Sequence, residues 1–291
     1  MTSPRILLAA QRLHPKKQLG QNFIVDPGFT EMIVKRAGIL PEDIILEIGA
    51  GLGALTIPLA RRAKKVFAIE KDRQIIPILN REILVSGLTN IIIIEKDILS
   101  VDINALVEDM GGKIVVMGNL PYNISSQILV QLIRSRKGIR RAVLMFQKEL
   151  AQRITAETGC KDYGRLTVML RYCSNIKKLV DAKASLFFPK PKVDSEILEL
   201  IFKRDIDHEA ADEAFLFKVI KAGFGNRRKT LKNALAASEL NIDPNTAKRI
   251  LETSGIDPVR RAETLTVEEF VTLSNTLIAQ SGENLLPIAA L

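Results

Sequence analysis

Residues 44–53 read Ile-Ile-Leu-Glu-Ile-Gly-Ala-Gly-Leu-Gly, an apolar run that breaks into glycines at positions 49, 51 and 53. The run has the length of a buried strand, and Ala54 to Arg62 can form a helix. Glycines at such a junction let the backbone turn sharply and approach a ligand, which then lies at the N-terminus of the helix. A dinucleotide site spaces its glycines as G-x-G-x-x-G. Here the third glycine comes one position early, and an acid, Glu47, precedes the first. A carboxylate there suits a cationic ligand better than a pyrophosphate. Glu70 ends the next strand-like segment, 19 residues beyond Gly51, where a carboxylate can accept hydrogen bonds from both ribose hydroxyls. Asp97, past a third such segment, can bind the exocyclic amine of an adenine.

The alternation of strand-like and helix-like segments continues on both sides of this loop. Asp26-Pro27 is an N-cap followed by proline at the first helical position, opening a helix that ends near Gly38. Lys65 to Glu70 is strand-like, and Asp72 caps a helix carrying Ile75, Ile76, Leu79 and Ile83, closed by Gly87. Ile91 to Glu95 reads as a buried strand, because four β-branched residues run together. Lys113 to Met117 and Arg141 to Phe146 are further strands, with a helix capped by Ser125 between them. This succession predicts a parallel sheet covered on both faces. Strand-like stretches at 165–173, 176–183 and 193–202 close the first part. Beyond them, 209–223, 228–238, 244–254 and 267–279 look helical, and Thr266-Val267-Glu268-Glu269 is a capping box. The expected fold is α/β: a Rossmann-like sheet with helices on both faces over residues 1–205, then a small all-helical domain over 206–291. The ends, about 1–15 and 281–291, are expected to be mobile.

Composition excludes several chemistries. The two cysteines, Cys160 and Cys173, and the two histidines, His14 and His208, make neither a disulfide framework, a zinc site nor a Ser-His-Asp triad. No metal is expected. No apolar run can cross a bilayer and the N-terminal one is too brief for a signal peptide, so the expected location is the cytoplasm. The net charge is +9, and residues 120–180 hold twelve Lys/Arg against three acids. A second basic cluster is Arg227-Arg228-Lys229 with Lys232. Two such clusters favour a polyanion, above all a nucleic acid.

Asn119-Leu120-Pro121-Tyr122 follows the strand at 113–117, and open α/β sheets place their chemistry at strand C-terminal ends. The glycine loop with Glu70 and Asp97 resembles the S-adenosylmethionine site of class I methyltransferases, and the methyl acceptor this implies beside Asn119 is an adenine N6, a poor nucleophile because its lone pair is delocalised into the ring. The Asn119 side-chain oxygen and a backbone carbonyl, that of Leu120, can accept its two N–H bonds and turn the lone pair toward a methyl donor. Pro121 fixes the backbone that aims the carbonyl, and Tyr122 offers a ring for an extruded base. Water can take the proton, so catalysis is positioning plus electrostatics.

A closer resemblance rests on Gly20-Gln21-Asn22-Phe23-Ile24-Val25-Asp26, Glu47 to Gly53, Asn119 to Ser125 and Phe146-Gln147-Lys148-Glu149 with Arg153. It extends through Tyr163-Gly164-Arg165-Leu166, Phe187 to Ser195 and Arg227 to Leu231. These stretches resemble the bacterial small-subunit ribosomal RNA adenine N6,N6-dimethyltransferases, the KsgA/RsmA family, over about residues 16–270. The resemblance implies that Asn22, the backbone at Ile24 and Gly51 contact the cofactor, with Gly49 under its methionine part. It assigns Glu70 to the ribose, Asp97 and Ile98 to the adenine pocket, and Asn119 to the space between cofactor and base. The implied substrate is a pair of adjacent adenosines in the 3′-terminal hairpin of 16S rRNA in a pre-ribosomal 30S particle, each dimethylated at N6. Ile24 and Ile98 depart from the leucine and the small residue usual in the family, and Ile98 narrows the adenine pocket.

Other residues keep two readings. Phe23 is either a core plug or a wall of the target pocket. Phe187 and Phe188 either pack or, beside Lys190 and Lys192, stack a base. Lys148 starts a helix and faces RNA, and Arg227, Arg228 and Lys229 form an RNA-binding cluster. A large-subunit rRNA methylase of the antibiotic-resistance type shares every catalytic motif, and a ribosome-assembly binding factor is a third reading. A DNA adenine methylase is weaker, since those more often show Asp-Pro-Pro-Tyr. A monomer is expected.

Overall fold

The computed structural model describes residues 2–283. Nine strands are present among them: β1 (Phe23–Ile24), β2 (Ile44–Ile48), β3 (Lys65–Glu70), β4 (Ile91–Glu95), β5 (Ile114–Asn119), β6 (Ile139–Gln147), β7 (Ser174–Ala182), β8 (Phe187–Phe188) and β9 (Ser195–Phe202). Seven form one sheet in the order β4-β3-β2-β5-β6-β9-β7, and β1 pairs with β8 in a separate antiparallel ribbon. The five strands from β4 to β6 are parallel, whereas β9 is antiparallel to both β6 and β7. The chain runs outward from β2 to β4 and returns to place β5 on the other side of β2. That reversal opens a crevice at the C-terminal ends of β2 and β5, where open α/β sheets bind ligands.

Apolar residues on one face of the central strands, such as Ile45, Val66, Val115 and Val143, pack against Phe29, Ile33, Leu55 and Leu59. The helix Pro27–Arg36 starts as expected, with the Asp26 carboxylate accepting from the N–H groups of Gly28 and Phe29. Three local expectations fail. Ser125 does not cap its helix; its hydroxyl donates to Pro121 O at 2.9 Å. The helix after Asp72 begins only at Ile76; the Asp72 carboxylate accepts Gln74 N at 3.1 Å in the turn before it, and also accepts from Lys16 and Gln21. β4 is the edge of the sheet rather than a buried strand, with Ile92 exposed. β-Branched residues favour a strand without fixing its place in the sheet. The N-terminal segment, expected to be mobile, contains a helix, Pro4–Ala10. The other such expectation falls largely on residues 284–291, which lie outside those described.

The chain divides into two compact units, residues 1–151 with 174–202, and 152–173 with 203–291. The expected boundary at 205 therefore misplaces residues 152–173. Within them, 165–173 is a helix (Arg165–Cys173), not a strand. Its residues Val168, Met169, Leu170, Tyr172 and Cys173 are all buried, and a short run buried all round has no periodicity to separate helix from strand. This segment belongs to the helical unit because of its ring contacts. Tyr163 lies 6.2 Å from Phe224, and Tyr172 meets Phe217 edge-on at 6.2 Å. In the same unit the capping box forms reciprocally: Glu269 N donates to Thr266 Oγ1 at 3.2 Å, and Thr266 N donates to Glu269 Oε2 at 2.8 Å.

Candidate active site

The cavity at the sheet reversal is lined by Asn22, Phe23, Ile24, Glu47, Gly49, Gly51, Glu70, Asp97, Ile98, Asn119 and Pro121, among others. The strand ends of β2, β3 and β5 supply Glu47, Glu70 and Asn119, and the turn beyond β4 supplies Asp97 and Ile98. Gly49 and Gly51 adopt φ of +77° and +55°, a region that side chains disfavour. A Cβ on Gly51 would stand 3.4 Å from the Phe23 ring, so the glycine keeps the cavity wall thin. Gly53 has a different task. A Cβ there would come within 3.0 Å of Leu79 Cδ1, and the residue packs the loop onto the neighbouring helix.

Glu70 is held by three backbone donors. Oε2 accepts from Gly51 N at 2.8 Å, and Oε1 accepts from Lys71 N at 2.9 Å and Asp72 N at 2.8 Å. Burial raises its pKa, and the bonds from Asp72, Gly51 and Lys71 oppose the rise. Glu47 is fully enclosed, and its Oε2 has no hydrogen-bond partner among the described residues. Burial pushes its pKa up to about 7; Thr56 opposes this and the charge of Glu70 adds to it. An unpartnered carboxylate in a cavity wall fits a cationic group. Asp97 accepts Leu99 N–H at 3.0 Å on Oδ1 and pairs with Lys71 Nζ at 2.6 Å on Oδ2; Lys71 first among its partners holds its carboxyl below the usual range.

Asn119 is the last residue of β5. Its side-chain N–H donates to Asn22 O at 2.8 Å, which leaves Oδ1 without a partner among the described residues. Asn22 in turn donates to Gly20 O at 3.1 Å. Leu120 is buried, backbone included, and does not line the cavity, unlike its neighbours Asn119 and Pro121. Tyr122 does not line the cavity. Its hydroxyl lies 3.0 Å from Ser195 Oγ, which fixes the ring. Phe23 is 7% exposed in a cluster with Leu8, Leu52 and Ile75, as a core plug is, and it also lines the cavity.

Phe187 is a correction. It is 4% exposed within the sheet core, so its ring is closed to a stacking base. Pairing of Phe187 with Ile24 in the small ribbon turns it inward. Phe188 is half-buried, with the Arg5 guanidinium 4.8 Å from its ring centroid. Lys148 is exposed at the start of the helix Lys148–Thr155. Arg227, Arg228 and Lys229 are exposed in the helical unit, before the helix Leu231–Ala236, and Arg227 donates to Lys161 O. Part of the basic excess is engaged inside each unit: Arg140 pairs with Asp43, Arg141 with Glu199, and Arg171 with Glu157.

Three contributors escaped the sequence reading. A Cβ on Gly118 would lie 2.7 Å from Ile48 O, so this glycine lets β5 close on β2. A lone glycine inside a strand is the signal that could have found it. Ser195 and Lys71 carry no local signal, since their partners are distant in sequence.

Sheet order, glycine loop and carboxylates at successive strand ends define a Rossmann-like methyltransferase. The chain belongs to the ribosomal RNA adenine dimethylase family, whose sequence model matches residues 12–279. A ribosomal RNA small subunit methyltransferase A from Desulforapulum autotrophicum is 53% identical over 97% of this chain and 99% of its own. A dimethyladenosine transferase structure from Plasmodium falciparum superposes with a TM-score of 0.73 at 29% identity, covering 90% of this chain and 98% of that one. The 23S rRNA methyltransferase ErmE superposes at 0.65 with 25% identity, over 88% and 99%. The chain is an S-adenosylmethionine-dependent rRNA adenine dimethyltransferase. Among the described residues no helix is long and apolar enough to cross a membrane.

Proposed function

We propose that this enzyme dimethylates N6 of two adjacent adenosines in the 3′-terminal hairpin of 16S rRNA, acting as a cytoplasmic monomer on a pre-ribosomal 30S particle. Residues 1–151 with 174–202 form the catalytic unit, and the helical unit binds RNA. S-adenosylmethionine supplies an electrophilic methyl carried on a sulfonium. Glu70 accepts from the ribose hydroxyls on the lone pairs that its three backbone donors leave free. Asp97 and Ile98 receive the adenine, Gly49 and Gly51 leave room for the methionine part, and Glu47 faces the positive charge. Asn22 and the Ile24 backbone close the cavity wall.

The observation that carries the reading of the reacting end is the Asn119–Asn22 hydrogen bond. It uses the donor end of the amide and leaves the acceptor end for a substrate N–H. The Leu120 carbonyl accepts the second N–H, so the N6 lone pair is directed rather than spread over the ring. Pro121 holds that carbonyl, and Tyr122, braced by Ser195, stacks the extruded base. Phe188 at the ribbon, Phe23 in the wall, and Lys148 with Arg227, Arg228 and Lys229 contribute substrate contacts. Water takes the released proton, so no strong base is needed. Because each base must return carrying one methyl, the acceptor pair tolerates a substrate with a single N–H.

The likeness to ErmE keeps a second reading in view, a large-subunit methylase. The near-full-length match to a small-subunit methyltransferase favours the first. Labelled S-adenosylmethionine, offered with unmethylated small or large subunits separately, distinguishes them. Label is expected in the small subunit only, approaching four methyls per particle on two neighbouring adenosines. Label in the large subunit would reassign the substrate, and label in neither, with cofactor bound normally, would favour an assembly-factor role.

A further inference from the structure

Asp97 stands where the cavity needs an acceptor, yet both of its oxygens are engaged. The bond from Leu99 N to Oδ1 belongs to the local turn. The bond from Lys71 Nζ to Oδ2 is shorter, 2.6 Å, and joins the ends of two adjacent strands. Lys71 and Asp97 both line the cavity. Lys71 follows Glu70 directly, so the ribose acceptor and the cation masking the adenine acceptor are neighbours in the chain. The Lys71 side chain is 56% exposed, and its ammonium can withdraw into water without backbone movement.

We propose that Lys71 is a built-in competitor for the adenine subsite: its ammonium takes one lone pair of Asp97 Oδ2 and offsets the charge that an adenine amine would otherwise meet, so the amine binds best when the ammonium withdraws. The proposal rests on the reading above in which Asp97 binds the adenine. A charged donor outranks a neutral one at the same carboxylate, so net affinity is what remains after that competition. Every adenine-bearing ligand meets the same competitor. Lys71 therefore lowers affinity for S-adenosylmethionine, S-adenosylhomocysteine and adenosine by one common factor, and it recaptures Asp97 as a product leaves. Lys71 is exposed and Asp97 half-buried, so solvent screens the pair and limits the factor to about two- to fivefold.

Calorimetry on the full chain tests this with S-adenosylhomocysteine and adenosine as probes. Lys71→Met should tighten both ligands by about two- to fivefold, the range set by a solvent-screened pair. Lys71→Arg, which keeps the cation, should bind like the native chain. Adenosine is uncharged, so salt acts on its binding mainly through the protein pair. Its affinity for the native chain should rise with ionic strength relative to Lys71→Met, as screening weakens the competitor. Unchanged or weaker binding by Lys71→Met, with Asp97→Asn still weakening adenosine, would overturn the competitor while leaving the adenine site in place. If Asp97→Asn leaves adenosine binding unaltered, the adenine assignment itself falls, and the competitor with it.

Discussion

The side-chain amide of Asn119 has two ends, and the fold occupies one of them. Because Asn22 O takes the N–H, replacing Asn119 removes a directed acceptor rather than a binding anchor. Asn119→Ala should leave rRNA affinity nearly unchanged and lower single-turnover methyl transfer by about a hundredfold or more, as for other groups that act mainly in the transition state. Equal single-turnover rates would remove Asn119 from the reaction. Glu47 has a different signature, a pH dependence of stability. Its carboxyl stays protonated in the folded chain up to about pH 7, against 4.5 when free. The folded state thus binds the extra proton, so this contribution is full below pH 4.5 and is lost as pH rises through about 7. At ~1.4 kcal/mol per pH unit the rise from 4.5 to about 7 sets a ceiling of about 3 kcal/mol. Glu47→Gln, neutral throughout, should be more stable than the native chain toward urea at pH 8, by no more than that ceiling, and should lose this advantage at pH 4. A constant difference across that range would mean that the group does not titrate there.

Among elements, the junction of β2 and β5 decides where the chemistry can occur. Gly118 permits the close approach, and its neighbour Asn119 inherits its position from it. Gly118→Ala should destabilise the protein by about 1–3 kcal/mol, since a backbone oxygen cannot yield as a side-chain tip can. It should also weaken cofactor binding; a thermal melt and a titration that both match the native chain would show the strands have slack. Much of this region was legible beforehand. β2 and β3 match the expected ranges 44–48 and 65–70, because each is a short apolar run ended by a local turn, the glycine loop after β2 and the Asp72 turn after β3. The Asp26 cap and the Thr266 box were legible for the same reason: the partners lie within three residues. What failed depended on distant partners. Neither the edge position of β4, the helical state of 165–173 nor the burial of Phe187 is written locally, and each is decided by what packs against it. Glu47, Glu70, Asp97 and Asn119 could be gathered into one cavity because parallel strands align their C-terminal ends. The Lys71–Asp97 and Tyr122–Ser195 pairs could not, since side-chain reach across a turn has no sequence period.

At the scale of the whole molecule, charge and chain order matter more than any one contact. Arg227, Arg228 and Lys229 are exposed in the helical unit, and neutralising all three should reduce the log–log salt slope of rRNA binding by about two to three, at roughly 0.7–0.9 per phosphate contact. Cofactor affinity should stay as it is; an unaltered slope would make the cluster an ordinary solvated face. The division of the chain has a consequence for its synthesis. Each unit is assembled from two separated stretches, and the stretches alternate along the sequence. Residues 152–173 emerge from the ribosome before Phe217 and Phe224, the rings that Tyr172 and Tyr163 need. β7 follows and waits in turn for β9, with which it pairs. The first unit has all of its strands once β9 is made, whereas the second has only residues 152–173 at that point, so the usual domain-by-domain course holds for one unit and not for the other. Tyr163 and Tyr172 stay without their ring partners until the later helices are made, so a nascent chain stalled just past residue 202 would hold a complete catalytic sheet beside an uncovered apolar stretch, the part a chaperone would grip.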